Sequence, residues 1–223
     1  MQPQPRSTDD RARAVAAFGW QQRVGLSWSC RQFEAPRRFQ QVLTEYHSQN
    51  EIILIEDFFS PEYMAALTAD VRRSQSAVSR IHEVAAVSGG HVTFDVIQET
   101  APAVVALYRS PSLRQLLARI TGRRLRERHC ALYYYDQPGD FSTFHYDPEG
   151  TYTALIGIVE NSSQVLDCRL ATEGGGPPRE LRVPTKAGGL VIFRGATIWH
   201  GVTEMGPNEE RIVLSLQFNS MAH

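Results

Sequence analysis

The chain has 223 residues, 42% of them hydrophobic and 21% charged, which sets it among single globular domains of ordinary size. Lys+Arg number 23 and Asp+Glu 24, a formal net charge of −1, so there is no electrostatic footprint for bulk nucleic-acid or anionic-membrane binding. A folded chain of this size buries roughly 70% of its unfolded surface, so neither a disulfide nor a structural metal is needed for stability. Cys30, Cys130 and Cys168 cannot all pair and show no CxxC spacing. That argues against a disulfide scaffold or a zinc ribbon and points to a reducing compartment. The N-terminal stretch carries Asp9 and Asp10 and lacks an apolar h-region, and no apolar run approaches the roughly 20 residues of a membrane span. A cytoplasmic enzyme or binding protein with no membrane partner is the expectation.

The chain is expected to form one domain in three stretches: an N-terminal arm over residues 1–35, a helical and strand support segment over 36–123, and a strand-rich core over 124–223. Pro36 opens a helical pattern with Phe39, Val42, Leu43 and Tyr46 on one face and Asn50 as the residue just past its end. The β-branched run Ile52–Ile55 reads as a buried strand. Ser60-Pro61-Glu62 reads as N-cap, first-turn proline and first-turn acid of a helix that buries Tyr63, Met64, Leu67 and Val71. The segment Ser74–Thr100, which contains His82, His91 and Asp95, has no sustained period. Ser110-Pro111 repeats the helix start, with Leu113, Leu116, Leu117 and Ile120 inward and Gly122 as the stop.

Beyond residue 124 the period changes to that of strands. Arg124–Tyr135, Thr151–Val159, Arg179–Val183, Leu190–Phe193 and Arg211–Phe218 read as strands separated by Gly-, Pro- and Asn-rich turns. Helices followed by many short strands predict an α+β fold, an antiparallel barrel or sandwich with helices on one face.

The residues with chemical potential lie in that core. His145 and Asp147 are two apart, so an extended backbone sends both side chains from one face. An imidazole and a carboxylate aimed at one point are two thirds of a 2-His-1-carboxylate facial triad, which holds Fe(II) and leaves positions open for substrate and oxygen. His200, in Trp199-His200-Gly201 after the apolar run Gly189–Phe193, is the candidate third ligand. Arg211 lies 11 residues further on, at the head of an apolar strand. A charge entering a buried strand needs a partner, and the guanidinium fork suits a carboxylate. Ser215 shares its parity.

Read together, His145-x-Asp147, His200 and Arg211 resemble the Fe(II)/2-oxoglutarate-dependent dioxygenases. The resemblance extends over residues 51–218 and is densest over 133–218. Glu51–Arg73 is similar to the strand-then-helix start of the prolyl-hydroxylase-like members. Tyr135-Asp136-Gln137-Pro138-Gly139-Asp140-Phe141 resembles their Tyr…Gly-x-Phe approach to the HxD pair, and Gly188–Phe193 the glycine turn and strand before their distal histidine. The resemblance implies a double-stranded β-helix (jelly roll) in which His145, Asp147 and His200 bind iron. It makes Arg211 the partner of the far carboxylate of the cosubstrate 2-oxoglutarate. Tyr133 or Tyr135, Ser215 and Thr153 are further candidates for cosubstrate contacts; Tyr134 points the other way. The implied reaction uses O2 to convert 2-oxoglutarate to succinate and CO2 while a substrate C–H is oxidised. Halogenases of the wider family carry a small residue in place of the HxD carboxylate. Asp147 therefore favours hydroxylation, or another oxidation such as desaturation, over halogenation.

For the substrate, Ser110-Pro-Ser-Leu-Arg, Phe193-Arg-Gly and His200-Gly-Val-Thr look most like the amino-acid hydroxylase and halogenase branch, so a small molecule is expected. A protein or peptide hydroxylase of the prolyl type and a non-catalytic metal-binding jelly roll are the alternatives. The repair demethylases carry a second arginine on the last strand. Here none follows Arg211, which disfavours a nucleic-acid substrate. Seven arginines over 109–128 form either a solvated face or an anion-recognition patch. In this fold, segments such as 74–100 can form a lid over the iron. His129, beside Cys130, is not expected to bind metal.

Overall fold

The computed structural model describes residue 30 and residues 35–83, 87–172 and 174–221. Apart from Cys30 and residue 35, the expected N-terminal arm lies outside the described residues, as does the side chain of His82.

Helix α1, Pro36–Ser48, buries Val42 and Tyr46. It closes as expected at Asn50, which takes a φ of 58° while the Glu51 N–H donates to the Tyr46 carbonyl at 2.9 Å, the long bond of a Schellman cap. Strand β1, Ile52–Ile55, follows, and then α2, Pro61–Ser74, whose N-cap Ser60 accepts from the Tyr63 N–H. The segment without a clear period folds as β2, Ser79–Glu83, hairpinned to β3, Val87–Thr93, and then α3, Phe94–Thr100. Helix α4, Pro102–Tyr108, leads to α5, Pro111–Thr121, which starts on the Ser110 cap and stops at Gly122.

The strands after residue 124 are β4 Leu125–Tyr135, β5 Phe141–His145, β6 Thr151–Asn161, β7 Leu166–Leu170, β8 Arg179–Val183, β9 Leu190–Phe193, β10 Trp199–Val202 and β11 Glu210–Ser220. The five strands predicted here are present, and β5, β7 and β10 are additional. All pair antiparallel in one sheet, ordered β1-β9-β6-β11-β4-β3-β5-β10-β7-β8, with β2 on β3. The ends of that order meet: Ile52, Val191 and Phe193 of β1 and β9 share a buried cluster with Leu166, Leu170 and Val183 of β7 and β8. The sheet thus wraps into a barrel, as the strand-rich core predicts, and is the double-stranded β-helix that the family resemblance implies.

The long strands β4, β6 and β11 alternate faces. Their outer face carries Leu132, Tyr134, Ala154, Ile156, Leu214 and Leu216, covered by Leu67, Val71, Leu113, Leu116 and Ile120 of the helices. Removing this apolar surface from water is the main stabilising term. It commits the opposite face to the interior of the barrel, where the site lies.

Candidate active site

Strands β5 and β10 are neighbours, and His145 and His200 stand directly opposite one another with ring centroids 4.4 Å apart. Each imidazole is held the same way. His145 Nδ1 lies 2.9 Å from the Thr143 carbonyl and His200 Nδ1 lies 2.8 Å from the Ile198 carbonyl. A carbonyl can only accept, so each Nδ1 carries the proton and each Nε2 keeps its lone pair for a ligand bond. Burial, with His145 alongside, holds the His200 pKa below the ordinary histidine value, while the Ile198 carbonyl and Asp147 oppose the shift. The neutral ring is the form a metal needs.

Asp147 joins them from just beyond the end of β5 at His145. Its N–H donates to the Gly195 carbonyl at 3.0 Å. Its carboxylate accepts from Thr153 Oγ1 at 2.5 Å on Oδ2 and from Gln217 Nε2 at 2.9 Å on Oδ1. A Cβ on Gly195 would stand 1.9 Å from Oδ2, so only glycine lets the carboxylate lie there. Ligand atoms of His145, Asp147 and His200 lie within 4.8 Å of one another. Two lone-pair nitrogens and a positioned carboxylate on so small a triangle fit a divalent metal with an open side.

The loop entering β5 is fixed by Asp140, which is 1% exposed. Its carboxylate accepts from Arg80 Nη2 at 2.5 Å, from Ser88 Oγ at 3.1 Å, and from the backbone N–H groups of Asp136 and Gln137 at 3.0 Å each. Burial alone would raise its pKa, but these donors outweigh burial and hold it below the usual carboxylate range.

A cavity of about 340 Å³ opens on the triad. Tyr133, Tyr135, Thr153, Arg211 and Ser215 all line it, as their shared strand face predicts. Tyr134 points the other way and donates to the Val71 carbonyl at 2.8 Å under the helices. Burial raises the Tyr133 hydroxyl pKa, with Asp147 adding to the shift. Burial pushes Tyr135 up to about 12, against the pull of Arg211. Both remain neutral donors at ordinary pH. The Thr153 hydroxyl, expected as a cosubstrate contact, spends its proton on Asp147.

Arg211 is 1% exposed, and its predicted partner turns out to be partly internal. Its Nε donates to Glu160 at 3.2 Å and Nη2 to Thr185 Oγ1 at 2.8 Å, while the buried Nη1 has no partner among the described residues. Strand alternation places Thr153, Leu155 and Gly157 inward on β6 and would turn Glu160 outward. A bulge at Ile158 shifts the register so that Arg211 faces Glu160. A Cβ on Gly157 would lie 2.9 Å from Glu160 Oε1, so the glycine makes room for the carboxylate. Burial raises the Glu160 pKa, with Arg211 opposing the shift.

Glu160, Thr185 and Gly195 leave no signal in the strand pattern. Gln217 does, through its parity with Arg211 and Ser215. His91 of the 74–100 segment also lines the cavity, whereas Asp95 is exposed on α3 and does not. The three cysteines are buried, and among the described residues only the triad gathers as a candidate metal group. No described helix is long and apolar enough to cross a membrane.

No family model and no curated protein matches the chain in sequence. Solved structures do match it in shape. The non-heme alpha-ketoglutarate-dependent epimerase SnoN from nogalamycin biosynthesis superposes with a TM-score of 0.71 at 15% identity, over 83% of this chain and 82% of that one. A Pseudomonas putida prolyl-4-hydroxylase gives 0.63 at 21% identity, over 82% and 98%. EctD from S. alaskensis, solved with 2-oxoglutarate and 5-hydroxyectoine, gives 0.60 at 14% identity, over 81% and 75%. The chain has the double-stranded β-helix fold of the Fe(II)/2-oxoglutarate oxygenases.

Proposed function

We propose that this protein is an Fe(II)- and 2-oxoglutarate-dependent dioxygenase that hydroxylates an unactivated C–H of a small molecule, an amino acid or a natural-product intermediate. One oxygen atom of O2 enters the substrate and the other enters succinate, with CO2 released. The observation that carries this reading is one cavity with two opposed ends. At one end stand two Nδ1-anchored imidazoles and an anchored carboxylate; at the other is the unpartnered Nη1 of a buried arginine.

His145, Asp147 and His200 would hold the iron, which when bound supplies the oxygen-activating chemistry that side chains lack. Thr153 and Gln217 hold Asp147 at fixed orientation, as outer partners of a metal ligand do. Arg211 Nη1 would donate to the far carboxylate of 2-oxoglutarate, with Thr185 and Glu160 fixing the guanidinium plane. Tyr133, Tyr135 and Ser215 offer neutral hydroxyls along the same face. Leu155, Phe193 and Val213 make the remaining wall apolar and limit water at the reacting end. Asp147 occupies the position that a halogenase leaves open, which supports oxygen insertion rather than halide transfer. A second reading, prolyl-type hydroxylation of a peptide, draws on the near-complete coverage of the P. putida prolyl-4-hydroxylase.

The test is an anaerobic titration of the metal-free protein with Fe(II) and then 2-oxoglutarate. A weak visible metal-to-ligand charge-transfer band is expected, absent in His200→Ala and needing far more 2-oxoglutarate in Arg211→Ala. Iron binding without a band would instead support a non-catalytic metal-binding jelly roll. With the band in hand, mass spectrometry of metabolite and prolyl-peptide panels separates the two substrate classes.

A further inference from the structure

The arginines over 109–128 have no part in the reaction described above. Two are used inside the fold: Arg114 pairs with Glu127, and Arg119 lies 4.1 Å over the Phe39 ring. Arg109 and Arg128 are different. They line a groove of about 530 Å³ together with Phe94, Tyr108, Glu127 and His129. Arg109 donates to the Gln98 side chain at 2.7 Å and Arg128 to the Asn219 side chain at 3.0 Å, both neutral partners. The one carboxylate in the groove is taken by Arg114. Two exposed guanidinium groups therefore stand over an aromatic floor with donors to spare.

The groove adjoins the metal cavity. Strand β4 has a bulge at Arg128, opposite the step from Gln217 to Phe218, and bulges beside active sites re-aim side chains. Below the bulge, His129 faces Gln217, whose amide holds Asp147. Two residues along the same face is the small Ala131, and two further is Tyr133 of the cavity wall. His91 pairs with Tyr133 across β3 and β4, with rings 5.6 Å apart, and also lines the cavity. Both histidines are half-buried, and neither has a hydrogen-bond partner among the described residues. Burial holds both below the ordinary histidine pKa; the His91–His129 proximity adds for His91 and Arg128 for His129, while Asp147 pulls His129 upward. One neutral imidazole, His129, thus lines the groove and the other, His91, lines the cavity, each with an unused donor and acceptor.

We propose that this groove is the outer half of the substrate site and takes a carboxylate-bearing small molecule. Arg109, Arg128 and His129 grip its carboxylate, Phe94 and Tyr108 receive its apolar body, and its reacting end passes His91 and Tyr133 into the cavity. The last clause rests on the oxygenase reading; the carboxylate site does not.

The probe is phenylacetate, with phenylacetamide as its uncharged equivalent of similar shape. Each is titrated into the full chain without metal or 2-oxoglutarate, while the histidine ring nitrogens are followed by ¹⁵N NMR. The expected result is movement of the His129 and His91 signals with the exposed His47 unmoved, and about ten-fold tighter binding of the acid than of the amide. Arg109→Gln combined with Arg128→Gln should abolish the preference, and Arg211→Ala should leave it intact. Equal affinity for the two probes, or no movement up to their solubility limit, overturns the proposal. So does loss of the preference in Arg211→Ala, which would put the carboxylate in the cosubstrate pocket. No arm uses iron or 2-oxoglutarate. A selective probe with no charge-transfer band would keep the groove and refute the oxygenase; a band with an indifferent probe would do the reverse.

Discussion

Gly195→Ala is the sharpest test of the proposed metal site, because its effect follows from one distance. The added Cβ would sit 1.9 Å from Asp147 Oδ2 and 2.7 Å from Cγ, where ordinary contact begins at 3.4 Å. One group must yield by about 1.5 Å. The backbone is poorly placed to do so: the Arg194 N–H donates to the Glu51 carbonyl at 3.1 Å, and Thr197 and Ile198 both donate to the Arg194 carbonyl. The carboxylate, at the end of a side chain, gives way instead and leaves Thr153 and Gln217. Metal–ligand distances tolerate only about 0.2 Å, and disturbing even the outer partners of a ligand costs roughly 10–100-fold in metal affinity. The variant should therefore bind Fe(II) at least about 100-fold more weakly. Its stability should fall by only about 1–3 kcal/mol, the ordinary cost of overpacking, because the helical core lies on the other face of the sheet. Anaerobic Fe(II) titration and a denaturant melt read the two effects separately. A Gly195→Ala variant that bound iron as tightly as its parent would refute the placement of Asp147 as a ligand.

Removing the outer partners should give graded losses: Thr153→Val and Gln217→Ala each weaken metal binding about 10-fold or more, with little change in melting. Glu160→Ala leaves the guanidinium of Arg211 buried without its counter-charge, so chemical denaturation should show a loss of about 3–5 kcal/mol. Replacing both residues with methionine should recover most of that loss. Asp140→Asn tests a linkage of known sign. The folded carboxyl sits below its unfolded value, so its stabilisation is complete above about pH 4 and is lost as pH falls through the folded value. The deficit of the asparagine variant should be about 2 kcal/mol near neutrality, held down by the partial exposure of Arg80, and should vanish in acid. Tyr134→Phe strands the Val71 carbonyl under the helices and should cost about 1–3 kcal/mol in the same assay.

Much of this architecture is local and can therefore be read along the chain. Ser60 and Ser110 cap their helices because a hydroxyl reaches an N–H three residues on, whatever the rest of the fold does. The long strands β4, β6 and β11 announce themselves by alternation, and alternation alone puts Tyr133, Tyr135, Arg211 and Ser215 on one face. The order His145-x-Asp147, His200, Arg211 can be read in the sequence because the chemistry of a candidate ligand is a matter of residue type.

Other features exist only once distant segments meet. The short strands β5, β7 and β10 have weak patterns of their own; they become strands because neighbours complete their hydrogen bonds. Asp147 is held by a bond to Gly195, 48 residues away, which no local period announces. Two bulges overturn simple parity, one turning Glu160 toward Arg211 and the other setting Arg128 and His129 on the groove. Period-two alternation holds only while register holds, and register depends on the partner strand. Residue types and local periods are thus written in the sequence of this protein, whereas the atoms that hold Asp147, Arg211 and His129 in place were decided by which strands lie side by side.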